Sequence, residues 1–214
     1  MKIFFDTEFT GLHKNTTLIS IGLVDENGRT FYAEFSDYNK SQCDNWIKEN
    51  VIYNLKFIKS AQLEYFVNIH ENSWEAYGDK EYIKLVLADW LSTYEDVQLV
   101  SDCCHYDMVL FIDIFGDAFC LPDNVNPACH DINQDIAKFF NISEKEAFDL
   151  SREGIIETFN EKIKEHWPEY VIDIEGAKHN SLYDAKIIKE IDRIIKEKYQ
   201  IITPLYDAIK ITHN

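Results

Sequence analysis

Lys2-Ile3-Phe4-Phe5-Asp6-Thr7-Glu8-Phe9-Thr10-Gly11-Leu12 stands at the head of a chain of 214 residues. Its first eight residues alternate, with Phe4, Asp6 and Glu8 on one face of a strand and Ile3, Phe5, Thr7 and Phe9 on the other. Apolar side chains on both faces mark a strand covered from both sides, which places it inside a sheet. Asp6 and Glu8 then lie ~6.6 Å apart along one face, where both carboxylates reach one hard cation or a pair of cations ~4 Å apart. Buried acids need a partner, and Lys2 is the nearby base. The blander alternative is an edge strand whose polar face meets water. D-x-E alone is a weak signal, because Asp173-Ile174-Glu175 repeats it.

Downstream, apolar runs cover residues 17–24 and 29–35, separated by Asp25-Glu26-Asn27-Gly28. Asn-Gly is a strong hairpin signal, so the chain is expected to open as an antiparallel meander. After Tyr38 the spacing predicts helices over 41–59 and roughly 74–95, the latter with Tyr82, Leu85, Val86 and Asp89 along one face. Residues 61–73 are aromatic-rich without a clean period, and no element is assigned to them; Tyr65, Phe66, Trp74 and Tyr77 could stack on bases, though core packing is their more ordinary use. A strand at 97–100, a buried helix at 107–115, a strand at 127–132 and a helix ending at Phe140 follow. Ser143-Glu144-Lys145-Glu146 is a capping box. Residues 181–198 form the longest amphipathic helix, striped by Ala185, Ile187, Ile188, Ile191, Ile194 and Ile195. Strands first and alternation afterwards imply an α/β domain with a mixed sheet, spanning 1–214 as one unit with a helical and aromatic segment at about 40–95 and a C-terminal tail at 203–214.

Lys and Arg number 21 against 38 Asp and Glu, a formal net charge of −17. That excludes a broadly basic surface for gripping long nucleic acid, although bound divalent ions supply positive charge locally. Hydrophobic residues at 46% and aromatics at 14% exclude a disordered chain. No run approaches the ~18 apolar residues of a membrane span. Asp6 falls where a signal peptide needs its apolar centre. Five cysteines without C-x-x-C spacing read as reduced thiols, and the expected location is the cytoplasm. Zinc at Cys129-His130-Asp131 is set aside because no tetrahedral ligand set can be assembled, and a Cys104/His105 nucleophile because adjacent residues give poor geometry.

Two further acids draw attention. Asp107 is in phase with Leu110, Phe111 and Ile114; its plain role is helix-dipole stabilisation, with Ser101 and Asp102 as candidate N-caps. Asp184 extends the stripe of the last helix, and His179, five residues earlier, is expected in a loop, free to move and near solvent, where an imidazole can take a proton from water. His130 and Asp135 repeat that spacing, and spacing does not choose between the pairs.

In order, these segments resemble the three motifs of the DEDDh 3′–5′ exonuclease superfamily, with its ribonuclease-H-like fold. Asp6-Thr7-Glu8-Phe9-Thr10-Gly11-Leu12 is similar to the first motif, D-x-E-x-T-G-L, over its whole length, which Asp173/Glu175 is not. Ser101-Asp102-Cys103-Cys104-His105-Tyr106-Asp107 resembles the second. Family members carry Asn four or five residues before the acid, and here Cys103 and Asp102 stand there, which leaves both Asp102 and Asp107 open, with Asp107 preferred for its place on the helix. His179-x-x-x-x-Asp184-Ala185 resembles the third. Size and the Ser-Asp-x-x-x-x-Asp segment look most like the small bacterial and phage 3′–5′ exoribonucleases.

The resemblance implies that Asp6, Glu8 and Asp184 hold one Mg²⁺ or Mn²⁺, that Asp6 and Asp107 hold a second, and that His179 is the general base. It implies that Phe9, Thr10, Gly11 and Leu12 face the 3′-terminal nucleotide of single-stranded or short RNA or DNA with a free 3′ end, RNA favoured. Three arginines and the acidic balance suit few phosphate contacts. A homodimer is compatible with this picture. The alternative is a non-catalytic nucleic-acid-binding module that keeps the nuclease fold.

Overall fold

The alternating N-terminal segment becomes β1 (Lys2–Phe9), followed by β2 (Leu18–Asp25), β3 (Thr30–Phe35), α1 (Asn45–Asn50), β4 (Phe66–Ile69), β5 (Ser73–Gly78) and α2 (Lys80–Leu91). Then come β6 (Gln98–Ser101), α3 (Cys104–Phe115), β7 (His130–Asp131), α4 (Ile132–Phe140), α5 (Glu144–Asp149), α6 (Arg152–Ile163) and α7 (Ser181–Lys196). The computed structural model describes residues 1–57, 64–165 and 167–196.

The strands form one seven-stranded sheet in the order β4-β5-β3-β2-β1-β6-β7. β1 runs antiparallel to β2 and parallel to β6, so the sheet is mixed, as the alternation of elements implies. At the meander's turn the Asp25 carboxylate accepts the N–H groups of Asn27 and Arg29, both at 2.8 Å, and Gly28 takes φ 93°, which favours glycine.

Both faces of β1 are covered, each by its own core. Ile3 and Phe5 pack with Leu87, Trp90 and Phe111 of α2 and α3, while Phe4 packs with Ile136, Ile188 and Ile191 of α4 and α7. This leaves Asp6 and Glu8, in phase with Phe4, directed to the α7 side of the sheet's end. α7 is held close to β2: a Cβ on Gly22 would lie 2.2 Å from the Leu182 backbone nitrogen, and the Ser20 and Ser181 hydroxyls meet at 3.0 Å. Gly22→Ala is therefore expected to push the start of α7 off the sheet, costing about 1–3 kcal/mol by denaturant melt and lowering activity in the molecules that remain folded.

Several elements depart from expectation. Residues 41–59 hold only α1 and flanking 3₁₀ turns, with residues 58 and 59 outside the described set. The stretch 74–95 is a strand and then a helix: Trp74 and Ala76 pair in register with Phe31 and Ala33, and Asp79, which caps α2 by accepting the Tyr82 N–H, marks the change. The buried face of α2 is Ile83, Leu87, Trp90 and Leu91, whereas Leu85 is 65% exposed. The unassigned aromatic stretch contributes the edge strand β4, and the strand expected over 127–132 shrinks to two residues. Tyr65 and Phe66 pack against Tyr82 and Phe57, and β4 and β5 lie at the sheet edge remote from β1 and β6. Residues 197–198 of the last helix and the 203–214 tail lie outside the described residues.

Candidate active site

The acidic cleft opens where β1 and β6 end and the first turns of α3 and α7 approach from opposite faces of the sheet. It encloses about 290 Å³ and is lined by Asp6, Glu8, Asp102, Asp107, His179 and Asp184, with Phe148 and Arg152 from the α5–α6 region. β1 slips register against β2 between Glu8 and Phe9, which ends regular pairing at the cleft. One ligand atom each from Glu8, His179 and Asp184 lies within 4.8 Å of the others, and the same holds for Asp6, Asp102 and Asp107. The five residues singled out from the sequence thus share one cleft, with Asp102 as a sixth.

The charges are poorly compensated. Neither Asp6 nor Glu8 forms an ion pair with a lysine or arginine among the described residues, and Lys2, the nearby base, is bound to Asp192 at 2.8 Å. Burial, then the charges of Asp107, Asp184, Glu8 and Asp102, hold the Asp6 carboxyl well above its usual range. Burial, then Asp184 and Asp107, do the same to Glu8. Burial pushes Asp107 and Asp184 up to about 7 each, against hydrogen bonds that favour their ionised forms. An oxygen-rich set with one imidazole and an excess of buried negative charge fits a hard divalent cation.

Asp107 is 1% exposed in the first turn of α3. Thr7 donates its hydroxyl to one carboxylate oxygen at 2.5 Å, and Ser101 donates to the other. Ser101 and Asp102 do not cap α3; the cap position is Cys103, and the Ser101 hydroxyl accepts the Cys103 N–H at 2.9 Å. Asp102 is instead held by Arg152, whose Nε lies 2.9 Å from its carboxylate while the other guanidinium nitrogens bond Asn133 and the Ala147 and Leu150 carbonyls. Arg152, although it lines the cleft, therefore has four of its five N–H donors committed.

His179 is neither free nor fully solvated. Its backbone takes φ 62°, its N–H donates to the Asp184 carboxylate at 2.9 Å, and its half-buried ring packs edge-on against Trp46 with centroids 4.9 Å apart. Nδ1 faces Glu8 Oε1 at 4.0 Å. Burial, then the Lys178 charge, lower its pKa below the usual histidine value, so the neutral, proton-accepting ring prevails near pH 7. The competing pair lies apart from the cleft lining: His130 on β7 bonds Asp135 at 2.5 Å. Asp173 and Glu175 also stay out of the carboxylate cluster.

Among Phe9–Leu12, Phe9 stacks on Tyr106 with centroids 5.2 Å apart, and Leu12 is 76% exposed. The Thr10 side chain is turned inward, donating to Gln42 at 2.6 Å. Thr7 was visible as the centre of D-T-E, but Trp46 and Arg152 carry no local signal, since each meets the site through contacts more than 45 residues away in the chain.

Solved structures share this architecture. The nuclease domain of 3′hExo, a DEDDh family member bound to rAMP, aligns with a TM-score of 0.57 over 94% of each chain at 15% identity. A 3′-exonuclease solved in 3′-end-specific recognition of histone mRNA stem-loop aligns with a TM-score of 0.56 at 15% identity, over 92% of this chain and 81% of that one. The fold is that of the DEDDh, ribonuclease-H-like nucleases. The 3′-5′ exoribonuclease Rv2179c of Mycobacterium tuberculosis (strain ATCC 25618 / H37Rv) is 26% identical over 136 residues, covering 63% of this chain and 73% of the relative. A protein named 3′-5′ exoribonuclease MT2234.1 from strain CDC 1551 / Oshkosh matches to the same extent. Residues 1–195 match the Rv2179c-like 3′-5′ exoribonuclease domain, and the chain belongs to that family of 3′–5′ exoribonucleases. No helix among the described residues is long and apolar enough to cross a membrane.

Proposed function

We propose that the chain removes nucleotides from the 3′ end of single-stranded or short RNA by hydrolysis at two divalent ions, with His179 as general base. The observation that carries this is the meeting of Asp6, Glu8, Asp107 and Asp184 beside a histidine whose lowered pKa keeps it neutral. Asp6, Glu8 and Asp184 would hold one ion, and Asp6 and Asp107 the other. Mg²⁺ or Mn²⁺ bound there supplies the positive charge that offsets the scissile phosphate and makes water more acidic.

The protein's own groups do the rest. The His179 imidazole takes the proton of the attacking water; the water oxygen bonds to phosphorus and the P–O3′ bond breaks, the terminal nucleotide leaves as its 5′-monophosphate, and the 3′ oxygen takes a proton from solvent to give the 3′-hydroxyl of the shortened strand. The Asp184 carboxylate, by accepting the His179 N–H, fixes the loop from which the ring reaches the cleft. The Phe9–Leu12 backbone and the exposed Leu12 side chain border the terminal nucleotide. Thr7 and Ser101 hold Asp107 in one orientation, so that carboxylate is preorganised.

Digestion of matched 3′- and 5′-labelled RNA and DNA single strands across a metal titration tests the whole reading. Shortening from the 3′ end, faster on RNA and dependent on metal, is the expected result; metal-dependent binding without shortening would instead mark a binding module. Added Mn²⁺ or Mg²⁺ should also raise the melting temperature by mass action, by about 2.7 kcal/mol of stability at a hundredfold excess over Kd. The rise should be larger at about pH 8 than at about pH 5, because the ions need ionised carboxylates. An unchanged melting temperature at large excess would remove the metal site.

A further inference from the structure

Behind the loop that carries His179 lies a second cavity, of about 470 Å³. The two spaces flank one backbone segment: Lys178 and His179 line the acidic cleft, whereas Ala177 and Asn180 line this cavity. Its charged groups are Lys56, Lys186 on α7, and the exposed Glu175.

Several lysines elsewhere in this acidic chain are bound to carboxylates: Lys2 to Asp192 at 2.8 Å, Lys80 to Asp113 at 3.1 Å, Lys178 to Glu153 at 3.4 Å and Lys196 to Asp192 at 2.7 Å. Lys186 has no ion-pair or hydrogen-bond partner among the described residues, although it is half-buried. Lys56 and Lys186 line the same cavity, so its two ammonium groups share one space with the single acid Glu175. Lys56 sits over the Tyr32 ring at 5.2 Å and bonds Glu75 at 3.0 Å. An unpaired, partly desolvated ammonium beside a second ammonium is unfavourable, and an anion between them would relieve both the desolvation and the repulsion. Phosphate oxygens suit such donors.

We propose that this cavity binds a phosphate group, which, on the exonuclease reading above, is a backbone phosphate of the strand upstream of its 3′-terminal nucleotide. The strand would cross the Lys178–His179 loop with its end in the acidic cleft, so the acidic protein would grip it at one local pair of cations.

Degradation of single-stranded oligoribonucleotides from dinucleotide to octanucleotide tests this with Lys186→Met, Lys186→Arg and Glu175→Gln, and with Lys84→Gln on α2, across the sheet, as a charge control. Wild type should gain in kcat/KM with length, and Lys186→Met should lose roughly threefold to tenfold of that gain, in KM rather than kcat. Its salt dependence should flatten by about 0.7 in the log–log slope, one phosphate for a single strand. Lys186→Arg should restore the gain, Glu175→Gln should enlarge it, and Lys84→Gln should match wild type. Because Lys186→Met removes an unpaired ammonium, it should melt at or above the wild-type temperature, so lost binding cannot be lost folding. If Lys186→Met weakens inhibition by a nucleoside 5′-monophosphate and leaves the length gain intact, the phosphate is the released product's. If neither quantity moves, the site is overturned. Should wild type shorten no RNA, the exonuclease reading fails by itself; calorimetric titration of the metal-free protein with inorganic phosphate, wild type against Lys186→Met, then decides the cavity independently.

Discussion

Asp6→Asn is expected to leave a folded protein whose exonuclease rate falls by roughly 10³-fold or more, and Glu8→Gln should behave alike. Each change keeps shape and removes a charge that the proposed ions would need. The metal-free protein should respond in the opposite sense, with a melting temperature unchanged or higher. Asp107 and Asp184 sit at about 7 in the fold, and Asp6 and Glu8 are also raised, against an ordinary carboxylate value near 4. For acids so raised, the folded protein binds more protons than the unfolded chain, so stability is fully present below about pH 4 and is lost as pH climbs through about 7. Metal-free wild type should therefore melt lower at about pH 8 than at about pH 5, and Asp6→Asn should flatten that fall, since one source of repulsion is gone. Differential scanning calorimetry in chelator at both pH values, paired with a 3′-labelled strand assay, checks both halves. A clear drop in melting temperature with activity retained would make the Asp6–Glu8 pair structural.

These effects arise where local sequence rules were strongest. β1 was legible because a period of two and apolar residues on both faces leave one arrangement for Phe4, Asp6 and Glu8, and the core on each face bears that out. The Asn27-Gly28 turn and the capping box at Ser143 are chemistry confined to a few residues, and both form. α2 was harder: Tyr82, Leu85 and Val86 make one apolar stripe and Ile83, Leu87 and Trp90 another, and only packing against β3, β5 and α3 decides which turns inward. The strand β5 was absorbed into that helix because Trp74 and Ala76 fit either pattern, although Asp79 was a readable cap. In the cleft, Asp102 and Asp107 could not be separated by spacing. Their difference lies in what holds them, two hydroxyls for Asp107 and a guanidinium from position 152 for Asp102, and that pairing exists only after α6 folds against the sheet end.

His179→Ala is expected to lower the turnover rate by about 10²- to 10⁴-fold, the usual contribution of general acid–base catalysis. Metal-dependent stabilisation should survive, because on the proposed reading Asp6, Glu8, Asp107 and Asp184, and not the imidazole, would hold the ions. His130→Ala should change the rate far less and act through stability, since its ring bonds Asp135 at 2.5 Å away from the cleft lining. Wild-type turnover should rise with pH along a limb set by His179, with its midpoint below the ordinary value of about 6.5 because burial and Lys178 disfavour the charged ring. In His179→Ala that limb should disappear. Acidity of water at the metal site falls in the same pH range, so the pH profile must be read beside the two alanine variants. Trp46→Ala sharpens the comparison: it removes the edge-on support of the ring and leaves the imidazole in place, so it should lower kcat by a smaller factor than His179→Ala, with Trp46→Phe recovering part of the loss. If His130→Ala silences a folded, metal-binding protein while His179→Ala does not, the base is on β7, and the third motif belongs to His130 and Asp135.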